Sequence, residues 1–180
     1  MGTNNFKDFV KLVTETLELA KVSYVIVGGL VTIIYGRPRT TMDIDIIISQ
    51  KDNFKILEKT FKANGFDIAE NEIKIALEET SHCTIFHDTY PYRIDLQGIY
   101  SGLDKIAFDN KEKRKALGIS LMIEKIEDAI IGKLVYGSQQ DLEDAKSILE
   151  NQKEKIDLKY LNNYAKELGL SDKLRKLIDS

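Results

Sequence analysis

The sequence predicts an α+β protein: a mixed sheet flanked by helices, with a C-terminal helical bundle. Three observations carry that prediction. Short β-rich apolar runs alternate with helix-period segments through the first part of the chain. Beyond about residue 120 only helical periodicity remains. Strands clustering ahead of helices suit α+β layering rather than a doubly wound sheet. The expected division is an α/β unit over residues 1–120 and a helical unit over 121–180 packed on it.

Residues 5–21 place Phe6, Phe9, Val10, Val13, Leu17 and Ala20 at helical spacing. Residues 24–27 form an apolar, β-rich run that stops at Gly28-Gly29, which reads as a strand followed by a turn. A short buried helix over 30–35 ends at Gly36, and "GRPRTT" is loop. Residues 43–49 read as a strand, and 52–64 as a helix stopped by Gly65. The stretch 66–99 suits a small meander, clearest in "HCTIFH" and "YRIDLQG", while 102–116 is charged and without a clear period. Helices are expected over roughly 124–136, 139–150, 158–168 and 171–178.

Composition narrows the function. With 180 residues, 43% hydrophobic and 31% charged, the chain is long enough to bury a real core and too apolar for disorder. A net charge of -3 argues against coating duplex nucleic acid through phosphate contacts alone, although a local basic groove stays open. One cysteine, Cys83, precludes an internal disulfide and suits a reducing compartment. The N-terminus "MGTNNFKDFV" has no basic region followed by a long apolar run, and no apolar stretch approaches the roughly 20 residues of a membrane helix. The expectation is a soluble, cytoplasmic protein with no membrane partner.

Two acids interrupt the strand at 43–49. Residues i and i+2 of a strand share a face, so Asp43 and Asp45 stand side by side about 7 Å apart, while Ile44, Ile46 and Ile48 point to the core. Like charges held so close are relieved by a divalent cation with oxygen ligands, Mg²⁺ or Mn²⁺. In "YRIDLQG", Tyr92, Ile94 and Leu96 take one face and Arg93, Asp95 and Gln97 the other. If the two strands are neighbours, three carboxylates converge as a metal site for phosphoryl chemistry requires. The competing reading is structural, with Asp45 paired to Arg37 or Arg39. Gly28-Gly29 adds a junction at which backbone N–H groups can meet a phosphate closely. Arg39 and Thr41 lead directly into Asp43, a guanidinium and a hydroxyl suited to triphosphate oxygens.

The run "VGGLVTIIYGRPRTTMDIDIII", with "RIDL" later, resembles the DNA polymerase β-like nucleotidyltransferase superfamily, closely over 24–49 and loosely over 90–98. More narrowly, with its helical tail it resembles small prokaryotic nucleotidyltransferases, among them the abortive-infection type II toxins. That resemblance implies a nucleotidyltransferase-like sheet and metal-dependent transfer of a nucleoside monophosphate from an NTP to a hydroxyl, with release of pyrophosphate. It implies that Asp43 and Asp45 hold the metals, that Asp95 completes the site and activates the hydroxyl, and that Gly28 and Gly29 cradle phosphates. The acceptor stays open between a tRNA end, a protein hydroxyl and a small molecule. A catalytically weak nucleotide-binding or regulatory half of a toxin–antitoxin pair, and a kinase-like phosphotransferase on the same fold, are the competing functions.

On the predicted helix 124–136, Lys133 falls within the apolar stripe of Ile123, Ile126, Ile130 and Leu134, and Asp141 lies near the buried face of the next helix. Either Lys133 and Asp141 form an ion pair between helices, or Lys133 reaches the triphosphate with Asp141 or Asp144 orienting it. The resemblance, through "EDAIIGKLVYGSQQDLEDAKSIL", favours the second for Lys133 and leaves both acids unassigned. His82, Cys83 and His87 are too few, and point to opposite faces, for a zinc site. The run "NKEKRKALG" reads as a solvated face, with a basic edge for a nucleic-acid end as its alternative. Tyr90 and Tyr92 read as packing residues beside Asp95.

Overall fold

The computed structural model describes residues 5–51, 53–69 and 71–179. Its elements are α1 (Phe6–Leu19), β1 (Tyr24–Val27), α2 (Gly29–Tyr35), β2 (Asp43–Ile48), α3 (Phe54–Ala63), β3 (Phe66–Asp67), α4 (Glu72–Glu78), β4 (Cys83–His87) and β5 (Arg93–Gln97). They continue with α5 (Gly102–Asp109), β6 (Glu112–Ala116), β7 (Ile119–Ile123), α6 (Ile126–Tyr136), α7 (Gln139–Asn151), α8 (Leu158–Glu167) and α9 (Ser171–Asp179). Among the described residues no helix is long and apolar enough to cross a membrane.

Seven strands form one mixed sheet in the order β3-β4-β5-β2-β1-β7-β6. The β2–β5 and β1–β7 pairs are parallel and the others antiparallel. Parallel neighbours need a crossover, and the excursion α3-β3-α4-β4 carries the chain from β2 to β5. β2 and β5 lie in the middle of the sheet. Ile44, Ile46 and Ile48 of β2 and Ile94 and Leu96 of β5 are wholly buried on one face, where they join a core with Phe9, Leu17, Leu57 and Phe61.

Two segments differ from the sequence reading. The stretch 66–99 is not an uninterrupted meander, because α4 stands between β3 and β4. Ile73, Ala76 and Leu77 bury one helical face there, a spacing of three and four residues too brief to stand out from the flanking β-rich runs. The segment 102–116 resolves into α5, opened by a capping box between Ser101 and Asp104, and the edge strand β6. Along β6 half-buried Glu112, Arg114 and Ala116 alternate with exposed Lys113 and Lys115, a charged edge of the kind that resists strand addition. Tyr90 and Tyr92 pack against Phe9, with ring centroids 5.5 Å away in both cases.

Candidate active site

The register of two parallel strands builds the site. β2 sets Asp43 and Asp45 on one face, and β5 aligns Asp45 opposite Asp95 and Asp43 opposite Arg93. Each carboxylate has a fixed partner. Asp43 accepts from Thr41 Oγ1 at 2.7 Å and from Arg93 Nη2 at 2.9 Å. Asp95 accepts from Thr84 Oγ1 at 2.7 Å and from Arg93 Nε at 3.2 Å. Asp45 accepts the Gly29 N–H at 3.4 Å. Burial, and then the neighbouring Asp43, raise the Asp45 carboxyl above the usual carboxylate range, with Asp95 adding to the effect against the Gly29 N–H. That is the electrostatic signature of acids held together at a cost.

The donor set suits a hard divalent cation, since the row offers only carboxylate oxygens and one of its members is destabilised as an anion. Among the described residues no three such groups are already gathered around one point. Arg93 lies between Asp43 and Asp95 instead, 41% exposed and ion-paired to both. Asp43, Asp45 and Asp95 are the residues that would hold the ion.

The Gly28-Gly29 turn is fitted against these acids. Gly28 has φ +69°, and a Cβ on it would lie 2.3 Å from Asp45 Oδ2. A Cβ on Gly29 would meet Thr41 Oγ1 at 2.8 Å and Arg39 Nη2 at 2.9 Å. Only glycine allows β1, the turn and β2 to approach in this way. Beneath the turn lies a residue that the sequence reading passed over. Glu124 is 8% exposed, and its Oε1 accepts the Gly28 N–H at 3.2 Å. Burial pushes its carboxyl up to about 8. The signal available was a lone acid between the apolar run "SLMI" and the next helix.

A second charged group flanks the turn. Asp144 of α7 has no exposed side-chain surface, and three cations surround it: Arg37 at 3.2 Å, Arg39 at 3.3 Å and Lys133 at 3.3 Å. Lys133 also lies 2.9 Å from Asp141, and Arg37 lies 2.9 Å from Glu143. Arg39 Nε and Asp144 Oδ2 are buried without a well-aligned hydrogen bond, so their contact is ionic. Both arginines therefore go to the tail helix and not to Asp45. The network ties the loop ahead of β2 to α6 and α7.

All of these groups except Thr84, Arg93, Arg37, Asp144 and Glu143 border one cavity of about 570 Å³. Gly28, Gly29, Arg39, Thr41, Asp43, Asp45, Asp95 and Lys133 line it together. It extends past Ile47 and Gln97 to Leu103, Asp104 and Ala107 of α5 and to Ala129, Gly132 and Tyr136 of α6. Four stretches far apart in sequence thus face one space. Carboxylates on the sheet, Lys133 from the helical tail, Arg39 from the loop ahead of β2 and a glycine turn can bind a polyphosphate and present its phosphorus to a hydroxyl.

Over residues 5–175 the sequence matches the family model described as nucleotidyltransferase of unknown function (DUF6036). The chain belongs to this family of nucleotidyltransferases. Solved structures give the same fold. The antibiotic-resistance protein ANT(2'')-Ia, solved with adenylyl-2''-tobramycin, aligns with a TM-score of 0.58 and 13% identity over 82% of this chain and 89% of that one. The lincosamide antibiotic adenylyltransferase LnuA, lincomycin-bound, aligns at 0.55 and 16% identity over 79% and 94%. JHP933 from Helicobacter pylori aligns at 0.56 and 18% identity over 96% and 75%. No match is found among curated proteins. The fold is therefore the mixed α/β fold of these nucleotidyltransferase-like structures.

Proposed function

We propose that this family member transfers a nucleoside monophosphate from an NTP to a hydroxyl acceptor and releases pyrophosphate, in a reaction that depends on a divalent cation. The observation that carries the reading is the register of β2 on β5. It sets Asp45 opposite Asp95, with Asp43 two residues along, at the wall of a cavity that Gly28, Gly29 and Lys133 also line. A structural use of three such acids would not need a cavity beside them.

In this reading Asp43 and Asp45 hold the cation, Asp95 completes its site, and Thr41 and Thr84 fix the carboxylates that they touch. A bound divalent cation supplies neutralisation of the phosphate oxygens. Gly28 and Gly29 let the chain approach the phosphates, Arg39 and Lys133 carry donors to them, and Thr41 acts on the nucleotide site through Asp43. The acceptor oxygen bonds to the α-phosphorus as the bond to the β-bridging oxygen breaks, and Asp95 takes the proton of the hydroxyl. Arg93, paired with Asp43 and Asp95, partly neutralises both carboxylates. One structure of similar fold is a lincosamide antibiotic adenylyltransferase and another holds adenylyl-2''-tobramycin, which makes a small molecule one acceptor class to try beside tRNA ends and protein hydroxyls.

Calorimetric titration of the four NTPs with Mg²⁺ or Mn²⁺, and again with EDTA, tests the reading on wild type and on Asp43→Asn/Asp45→Asn. Metal-dependent binding that the double variant loses is the expected result. Absence of NTP binding under either metal would overturn it.

A further inference from the structure

Tyr136 closes the last turn of α6 with its ring 75% exposed, on the rim of the cavity. Its position is not explained by packing. No ring contact or hydrogen bond of its side chain occurs among the described residues, while Tyr164, which borders the same cavity, is only 6% exposed. Ala129, Gly132, Lys133 and Tyr136 recur at intervals of three and four residues, so they form one strip of the helix that faces the cavity. Gly132 sits inside this helix, where glycine is disfavoured relative to alanine. A Cβ there would meet nothing within 4 Å, so close packing is not what keeps it bare. An exposed aromatic ring beside open space, one turn from a lysine and opposite the carboxylate row, suits a flat group attached to a polyphosphate.

We propose that Tyr136 is the stacking platform for the nucleobase of the bound NTP, with Gly132 leaving room beside it for the ring. This rests on the NTP reading of the site. Lys133 sits at the phosphates in that reading, and the side chain three residues on lies about 5–6 Å along the helix surface, on the same cavity. Stacking on an aromatic ring accepts any base, so Tyr136 sets affinity for the nucleoside part more than choice among the four bases.

The test compares NTPs with inorganic tripolyphosphate, which carries the phosphates without a base, by calorimetry in Mg²⁺ on wild type, Tyr136→Phe, Tyr136→Ala and Gly132→Ala. The expected result is a fall of about tenfold in the NTP-to-tripolyphosphate affinity ratio for Tyr136→Ala, within the usual effect of removing one stacking ring. Tyr136→Phe keeps the wild-type ratio. Gly132→Ala lowers the ratio while melting no lower than wild type, which separates lost space from lost stability. An unchanged ratio in Tyr136→Ala, or an equal loss for both ligands, overturns the proposal. A wild type that binds tripolyphosphate without preferring any NTP also overturns it and leaves the phosphate site standing. A wild type that binds neither ligand overturns the NTP reading itself.

Discussion

Replacing Gly28 by alanine tests the central geometry, because it inserts one methyl group between the turn and a carboxylate. The added Cβ would lie 2.3 Å from Asp45 Oδ2 and 3.0 Å from its Cγ, whereas ordinary contact begins at 3.4 Å, so the carboxylate must withdraw by about 1 Å. The backbone at Gly28, φ +69° and ψ −131°, is also one that L side chains rarely adopt. Strain of that kind costs about 1–3 kcal/mol and overpacking a similar amount, giving about 2–6 kcal/mol in all. For a chain of this length that lowers Tm by roughly 4–24 °C. A shift of about 1 Å at a reacting group is worth roughly 10²-fold in rate. Thermal melting in EDTA reads the first effect, and the rate of pyrophosphate release from NTP in Mg²⁺, with NTP calorimetry beside it, reads the second. The double variant Gly28→Ala/Asp45→Ala recovers the part of the stability loss that comes from the collision and none of the part that comes from φ. A Gly28→Ala protein that melts within a degree of wild type and binds NTP equally would refute the reasoning.

Three further outcomes follow from the charged groups. Asp144→Ala leaves Arg37, Arg39 and Lys133 without their shared buried anion; since these cations are 14–38% exposed, the cost should be about 2–3 kcal/mol, read as a lower urea midpoint. Glu124 bears on pH: its carboxyl titrates near 4.5 when unfolded and at about 8 when folded, so folding takes up a proton between those values. The contribution of Glu124 to stability is fullest below about pH 4.5 and falls as pH rises to about 8, by at most about 4–5 kcal/mol, and Glu124→Gln removes that part of the decline in Tm measured with EDTA. Arg93→Ala removes the cation that contacts Asp43 and Asp95 and should tighten Mn²⁺ binding about fivefold by electron paramagnetic resonance titration. Weaker binding in that variant would show that Arg93 positions the carboxylates and does not compete for them.

Much of the architecture was legible because it is written in short periods. Asp43 and Asp45 announce a shared face by the alternation of β2 alone, and the Gly28-Gly29 break follows directly from the β1 run. The helical tail declared itself through sustained spacing. The α4 helix did not, because seven residues give barely two turns, and its Ile73, Ala76 and Leu77 merge with neighbouring β-rich runs. Glu124 was missed for a different reason. Nothing near it in sequence shows that β7 lies parallel to β1, with Ile123 paired to Ile26, which carries the next residue under the Gly28 turn. Thr84 was invisible in the same way, since its partner Asp95 is set by the β4–β5 register. Arg93 was placed on the right face beside Asp95, yet its reach to Asp43 depends on the neighbouring strand.

The sequence by itself determined which acids share a strand face, where glycine must allow close approach, and that helices follow the sheet. These are properties of neighbours a few residues apart, fixed by the periods of 2 and 3.6. Tertiary structure alone decided that β2 runs parallel to β5 with Asp45 opposite Asp95, that Arg37 and Arg39 turn to Asp144, and that Glu124 supports the turn. The physical reason is that strand register and ion-pair choice are set by how distant segments bury their apolar faces together. Ile44, Ile46, Ile94 and Leu96 must share one core, and the charged side chains on the opposite face take the partners that this burial leaves within reach.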